Sequence, residues 1–152
     1  MLRDNINTAI KDAMKAREER RVSTLRLMNA AIKNADIEAR GAGKEPLNEH
    51  DLLSLFQKMI KQRQESVELY DKGGRPELAQ QERDEIAIIG AYLPKQMSDA
   101  EAGTAISAIL HELNAQSMKD MGRAMAALKE RFAGTMDFAK ASAKIKELLG
   151  NK

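Results

Sequence analysis

Apolar residues recur at spacings of three and four along nearly the whole chain, and no stretch alternates apolar with polar. This pattern predicts helices and no strands. Leu2, Ile6, Ile10, Ala13 and Met14 line one face of a first helix. After a charged break from Arg17 to Arg21, Val22, Leu25, Met28, Ile32 and Ala35 line a second, and the two are expected to pack as a hairpin. Residues 40–47 read as a loop. Asn48 is a good N-cap, with Leu47 and Leu52 placed as a hydrophobic staple. A long third helix then carries Leu52, Leu55, Phe56, Met59, Ile60, Val67 and Tyr70 until Gly73-Gly74 ends it. Pro76 opens a fourth helix with Leu78, Ile86 and Ile89 inward.

Pro94 disfavours helical geometry in the residue before it, so the domain boundary is expected here, separating a four-helix region, 1–94, from a tail, 95–152. Ser98 with Glu101 forms a capping box for a helix with Ala105, Ile106, Ile109, Leu110 and Leu113 inward, ending at Asn114. Ser117 with Asp120 repeats the arrangement before Met121, Met125, Leu128 and Phe132. Gly134 stops that helix, and Asp137 caps a last one carrying Phe138, Ala141, Ile145, Leu148 and Leu149. The expected fold class is all-α: a multihelical chain with a small three-helix tail. Helix lengths differ too much for a solenoid, and no heptad pattern persists.

Composition narrows the chemistry. The chain has no cysteine, which removes disulfides, thiolate metal sites and cysteine nucleophiles. The N-terminus is amphipathic, without the pattern of a secretory signal. The longest near-apolar run, Ile86 to Leu93, is far below the roughly 18 residues of a membrane span. A cytoplasmic protein with no membrane partner is therefore expected. Lys and Arg total 25 against 23 acids. The balance is uneven along the chain: 117–152 holds Lys119, Arg123, Lys129, Arg131, Lys140, Lys144, Lys146 and Lys152 against Asp120, Glu130, Asp137 and Glu147. Three Phe and two Tyr, all scattered, argue against stacking of single-stranded bases.

His50 and His111 lack a second histidine at metal-binding spacing, and the acids beside His50 suit a helix N-terminus without any ligand. The carboxylate pairs Glu65/Glu68 and Glu82/Glu85 have Lys61, Lys72 and Arg83 placed to pair with them, so a solvated charged face is the expectation. No serine sits in a nucleophile elbow, and Gly73-Gly74-Arg75-Pro76 lacks the lysine and hydroxyl of a phosphate loop. Met14, Met28, Met59, Met121 and Met125 fall on the core stripes, which makes them packing residues. No catalytic residue, metal or cofactor is expected.

The tail carries the remaining signal. A step of about 100° per residue puts Lys119 and Arg123 opposite Met121, Met125 and Leu128, with Lys129 and Arg131 on the flanks. Lys140 and Lys144 face away from Phe138 and Ile145. Packed side by side across Gly134, the two helices would present one basic surface, suited to phosphate contacts that add salt-sensitive affinity without reading sequence. Exposed helix faces are commonly charged, however, and Glu130, Asp137 and Glu147 dilute this one.

Several stretches together resemble the GatB/YqeY family. They are Arg21-Val-Ser-Thr-Leu-Arg-Leu-Met28, the long charged third helix, Tyr92-Leu-Pro-Lys95, and Met121-Gly-Arg-Ala-Met125 followed by Gly134 and Asp137. In that family a small helical domain occurs alone or as the tail of the tRNA-dependent amidotransferase B subunit. The resemblance implies a multihelical protein whose tail is similar to one that touches the tRNA body, with Lys119, Gly122, Arg123, Lys129 and the turn glycine Gly134 at motif positions. Gly122 within a helix is then explained by close approach of another helix or an RNA backbone. Thr135, followed by Met136, departs from the pattern, standing directly after the turn glycine where the family often has a basic residue.

The leading expectation is a noncatalytic, tRNA-associated protein binding through Lys119, Gly122, Arg123, Lys129, Arg131, Lys140 and Lys144, beside a protein partner in tRNA aminoacylation or amidation. A second reading is a protein-interaction adaptor without RNA. The weakest is a role in carbon–nitrogen ligation with glutamine as amide donor, for which no nucleophile or nucleotide site is found.

Overall fold

The computed structural model describes residues 1–150 and is all-α, with no strand among them. The helices are α1 (Leu2–Lys15), α2 (Glu19–Gly41), α3 (Glu49–Lys72), α4 (Pro76–Gly90), α5 (Asp99–Glu112), α6 (Met121–Phe132) and α7 (Phe138–Gly150). A single 3₁₀ turn, Met118–Asp120, precedes α6, so the stretch expected to start one helix at Ser117 winds tightly first. The chain divides into two compact units, Met1–Pro94 and a second starting at Lys95.

In the first unit, α1 and α2 form an antiparallel hairpin, with Arg3 near the start of α1 reaching Asp36 late in α2. Arg3 also donates to the Leu47 carbonyl at 2.8 Å, while the Leu47 N–H donates to Asp36. The loop before α3 is thereby tied to the hairpin. Asn48 and Asp51 complete the expected capping box reciprocally. α3 turns back into α4 through Gly74, whose φ of 70° permits the bond from Arg75 N–H to the Tyr70 carbonyl. The core joins Ile6, Ala9, Ala13, Leu25, Met28, Ile32, Leu52, Phe56, Met59 and Ile89.

Two expectations fail here. Met14 is not a core residue but is 52% exposed, because the buried face of α1 is centred on Ile6, Ala9 and Ala13 and Met14 lies one step around the helix. The carboxylates of α4 also pair differently. Glu85 is buried and takes a hydrogen bond from Arg63 Nε at 3.0 Å, while Arg83 pairs with Asp71 at 2.6 Å. Burial and the nearby Glu85 charge raise the pKa of Glu82.

In the second unit, α5, α6 and α7 surround Ile106, Ile109, Leu110, Ala115, Ala124, Leu128, Met136, Ala141, Ile145 and Leu149. The Ser98–Glu101 capping box is present, and Asp137 accepts from the N–H groups of Ala139 and Lys140 at the start of α7. Asn114, with φ of 52°, ends α5, and Ala115 N–H bonds back to the Leu110 carbonyl. Gly134, with φ of 83°, follows α6.

Candidate nucleic-acid interface

Core packing sets which way the tail cations point. With Ala124 and Leu128 of α6 and Ala141, Ile145 and Leu149 of α7 buried, the opposite faces are solvated. Lys119, Gly122, Arg123, Lys129, Arg131, Lys140 and Lys144 are all exposed. On the outer face of α6, Gly122 and Ala126 stand one turn apart, and both are exposed. A Cβ added at Gly122 would meet nothing within 4 Å. Among the described residues no helix approaches this glycine, so that half of the explanation expected from the sequence is overturned. The space above it is open.

Most of these cations already have an anion beside them. Arg123 Nη2 is 2.8 Å from Asp120 Oδ1, while Asp120 Oδ2 accepts from the N–H groups of Gln116 and Ser117. The bond from Gln116 N–H first, then that from the Arg123 guanidinium, then that from Ser117 N–H hold the Asp120 carboxyl below the usual range. Arg131 forks onto Glu112 with bonds of 2.7 and 2.8 Å, which lowers the glutamate pKa and raises that of the guanidinium. Lys140 lies 3.7 Å from Asp99 and Lys144 3.9 Å from Glu147. Lys119, Lys129 and Lys146 make no ion pair among the described residues. Lys152, counted in the basic excess, lies outside the described residues.

The cations are spread rather than gathered. Arg131 is tied to the C-terminal end of α5 and Lys140 to its N-terminal end, and 13 residues of helix separate Glu112 from Asp99, roughly 20 Å. Such spacing suits contacts along a polyanionic backbone better than capture of one phosphate. The corner after α6 is committed to packing. Thr135 Oγ1 donates to the Phe132 carbonyl, Thr135 O accepts from Met97 N–H, Gln96 Nε2 reaches Gly134 O, and Met136 is buried. Two features escaped the sequence reading. Exposed Ala126 was visible in its spacing of four from Gly122, whereas the Asp99 and Glu112 partners join α5 to α7 and α6 and leave no local signal.

Two helical units, the second with exposed cations on the outer faces of α6 and α7, define an all-α protein. A family model described as Yqey-like protein matches residues 3–149, and the chain belongs to that family. Similar curated proteins are named "Altered inheritance of mitochondria protein 41, mitochondrial". That of Lachancea thermotolerans is 37% identical over 111 residues, covering 72% of this chain and 58% of that protein. The Eremothecium gossypii protein is 36% identical over 107 residues, covering 68% and 56%, and that of Vanderwaltozyma polyspora 31% over 118, covering 74% and 62%. The chain thus spans less than two thirds of the length of these relatives.

Their names overturn the expectation of a cytoplasmic protein. That expectation rested on a missing secretory pattern and missing apolar span, and neither feature distinguishes one aqueous compartment from another. No helix among the described residues is long and apolar enough to cross a membrane.

Proposed function

We propose that this chain is a noncatalytic, tRNA-associated protein that grips structured RNA by its phosphates through the outer faces of α6 and α7. The observation that carries the reading is the side-chain-poor strip of Gly122 and Ala126. It is open to solvent, with exposed Arg123 and Lys129 on the same helix and exposed Lys119 in the 3₁₀ turn just before it. A phosphodiester backbone approaches closely where no side chain intervenes, and flanking cations release its counterions. Existing ion pairs at Arg123, Arg131, Lys140 and Lys144 do not prevent this, because exposed pairs are weak and exchange partners readily. The names of the relatives carry a mitochondrial setting to this reading, so tRNA from that compartment belongs among the RNAs tested.

The test is fluorescence anisotropy of labelled total and mitochondrial tRNA at several salt concentrations. The native chain is compared with one in which Lys119, Arg123, Lys140 and Lys144 are all changed to Glu. Saturable binding, weakening steeply with salt and lost in the variant, is expected, with about one unit of salt slope removed per lost contact. No saturable binding by the folded native chain at low salt would overturn the reading.

A further inference from the structure

We propose that an open groove in the first unit, between α2 and α4 at the C-terminal end of α1, docks a short acidic amphipathic segment of a partner protein. Aliphatic side chains of that segment would lie on Met14 and Leu27, and its carboxylates on Arg17 and Arg26. The groove has a volume of about 820 Å³. Val22 and Arg26, and likewise Ser23 and Leu27, are four residues apart, so one face of α2 forms a wall. Gln81 and Glu85 supply the facing positions of α4.

Met14 and Leu27 are 52% and 46% exposed, an unusual position for large apolar side chains. Methionine is also the side chain that adapts most easily to a varied apolar partner.

Charge identifies the partner. Arg17 and Arg26 make no ion pair among the described residues, and Arg26 Nη2 reaches only the Met14 sulfur at 3.7 Å. Their neighbours are satisfied: Arg20 pairs with Asp84 at 3.2 Å and Arg21 with Glu18 at 3.7 Å. Of the two acids lining the groove, Glu85 is held by Arg63, and Glu19 sits in the first turn of α2, where the helix dipole favours a carboxylate. Two arginines without an ion pair against the one acid without one, Glu19, leave the excess of unanswered charge cationic. Arg17 adopts φ of 57°, a conformation that residues with side chains seldom take.

Shape narrows the choice further. Apart from buried Glu85 and half-buried Val22, the walls are exposed side chains, too open to enclose the 70–90% of surface that small-molecule sites bury. One face of a helix needs only a trough with apolar anchors and a charged rim. RNA would meet the arginines but leave Met14 and Leu27 unmatched.

The test selects displayed random peptides of about four helical turns on the full chain, then titrates labelled synthetic copies of the enriched ones. Enriched peptides should carry Leu, Ile, Met or Phe at helical spacing together with Asp or Glu. Binding should weaken about tenfold or more in the double variant Arg17→Glu, Arg26→Glu, and also in Leu27→Ser. In methyl-labelled protein the Met14 resonance should move with peptide, while exposed Met118 of the second unit should not. Should the arginine variant lose its helical signal, Leu27→Ser and the Met14 resonance still decide. Absence of enriched peptides, enrichment without acids, binding indifferent to these changes, or tRNA moving Met14 as the peptide does would each overturn the proposal.

Discussion

In the first unit Arg63 and Glu85 meet inside the helix packing, with side chains 15% and 8% exposed, whereas in the second Arg131 and Glu112 make a better-formed, two-pronged contact with about half of each side chain in water. Geometry favours the second pair, yet the first matters more to folding. Once α3 and α4 have closed over Glu85, losing its partner strands a charge in a poorly polarisable interior. Losing Glu112 as a partner returns Arg131 to solvent. Ion pairs in the first unit thus include one that holds helices together, while those of the second leave their cations free to change partners.

The largest effect expected is at Arg63. Arg63→Met should destabilise the first unit by about 3 kcal/mol in chemical denaturation, and adding Glu85→Leu should restore much of the loss. A cost below about 1 kcal/mol would collapse the contrast, since that is the range of exposed pairs. Next come the helix ends. Arg17 and Gly134 both follow helices with positive φ, 57° and 83°. Arg17→Gly should stabilise by about 1 kcal/mol, and Gly134→Ala should cost about 1–2 kcal/mol, measured the same way.

Gly122→Ala should stabilise the free protein by about 0.5–1 kcal/mol, since its Cβ enters open space. A raised Tm with weakened tRNA binding would sharpen the interface to this residue; a raised Tm with unchanged binding would move the contact elsewhere.

Acid should act on the first unit through Asp36, whose pKa is held below the ordinary 3.8 chiefly by the hydrogen bond from Arg3 and then by Leu47 N–H. The unfolded chain takes up this proton first as pH falls. The stabilisation is therefore complete above 3.8 and fades as pH drops through the lower folded value. Asp36→Asn should flatten the stability profile in that window. Glu82 works oppositely: its folded pKa lies above 4.5, so its contribution is lost as pH rises through that raised value. The smallest effect belongs to Arg131→Ala, which should leave the Tm unchanged. A marked fall would mean that the second unit also depends on its ion pairs.

Much of the fold was legible because it rests on interactions between near neighbours in the chain. The capping boxes at Asn48 and Ser98, the Asp137 cap, the turn at Gly73-Gly74 and the helix ends at Asn114 and Gly134 involve groups within six residues of one another, so spacing reveals them. Apolar stripes located most of both cores for the same reason. Buried Ala9, Ala79, Ala115, Ala124 and Met136 were not singled out, because which small residues end up inside depends on the helix packed against them.

The periodicity of the chain was enough to determine seven helices, the solvated side of α6 and α7, and the placement of the six candidate cations away from or beside the apolar stripes, since a buried stripe fixes the direction of the opposite face. Only tertiary packing decided that Glu85 belongs to Arg63, that Asp99 and Glu112 attend Lys140 and Arg131, that Gly122 has open space above it, and that Met14 joins Leu27 in a groove. Each of these depends on where one helix lies against another, a relation between residues 13 to 41 positions apart that no helical repeat encodes.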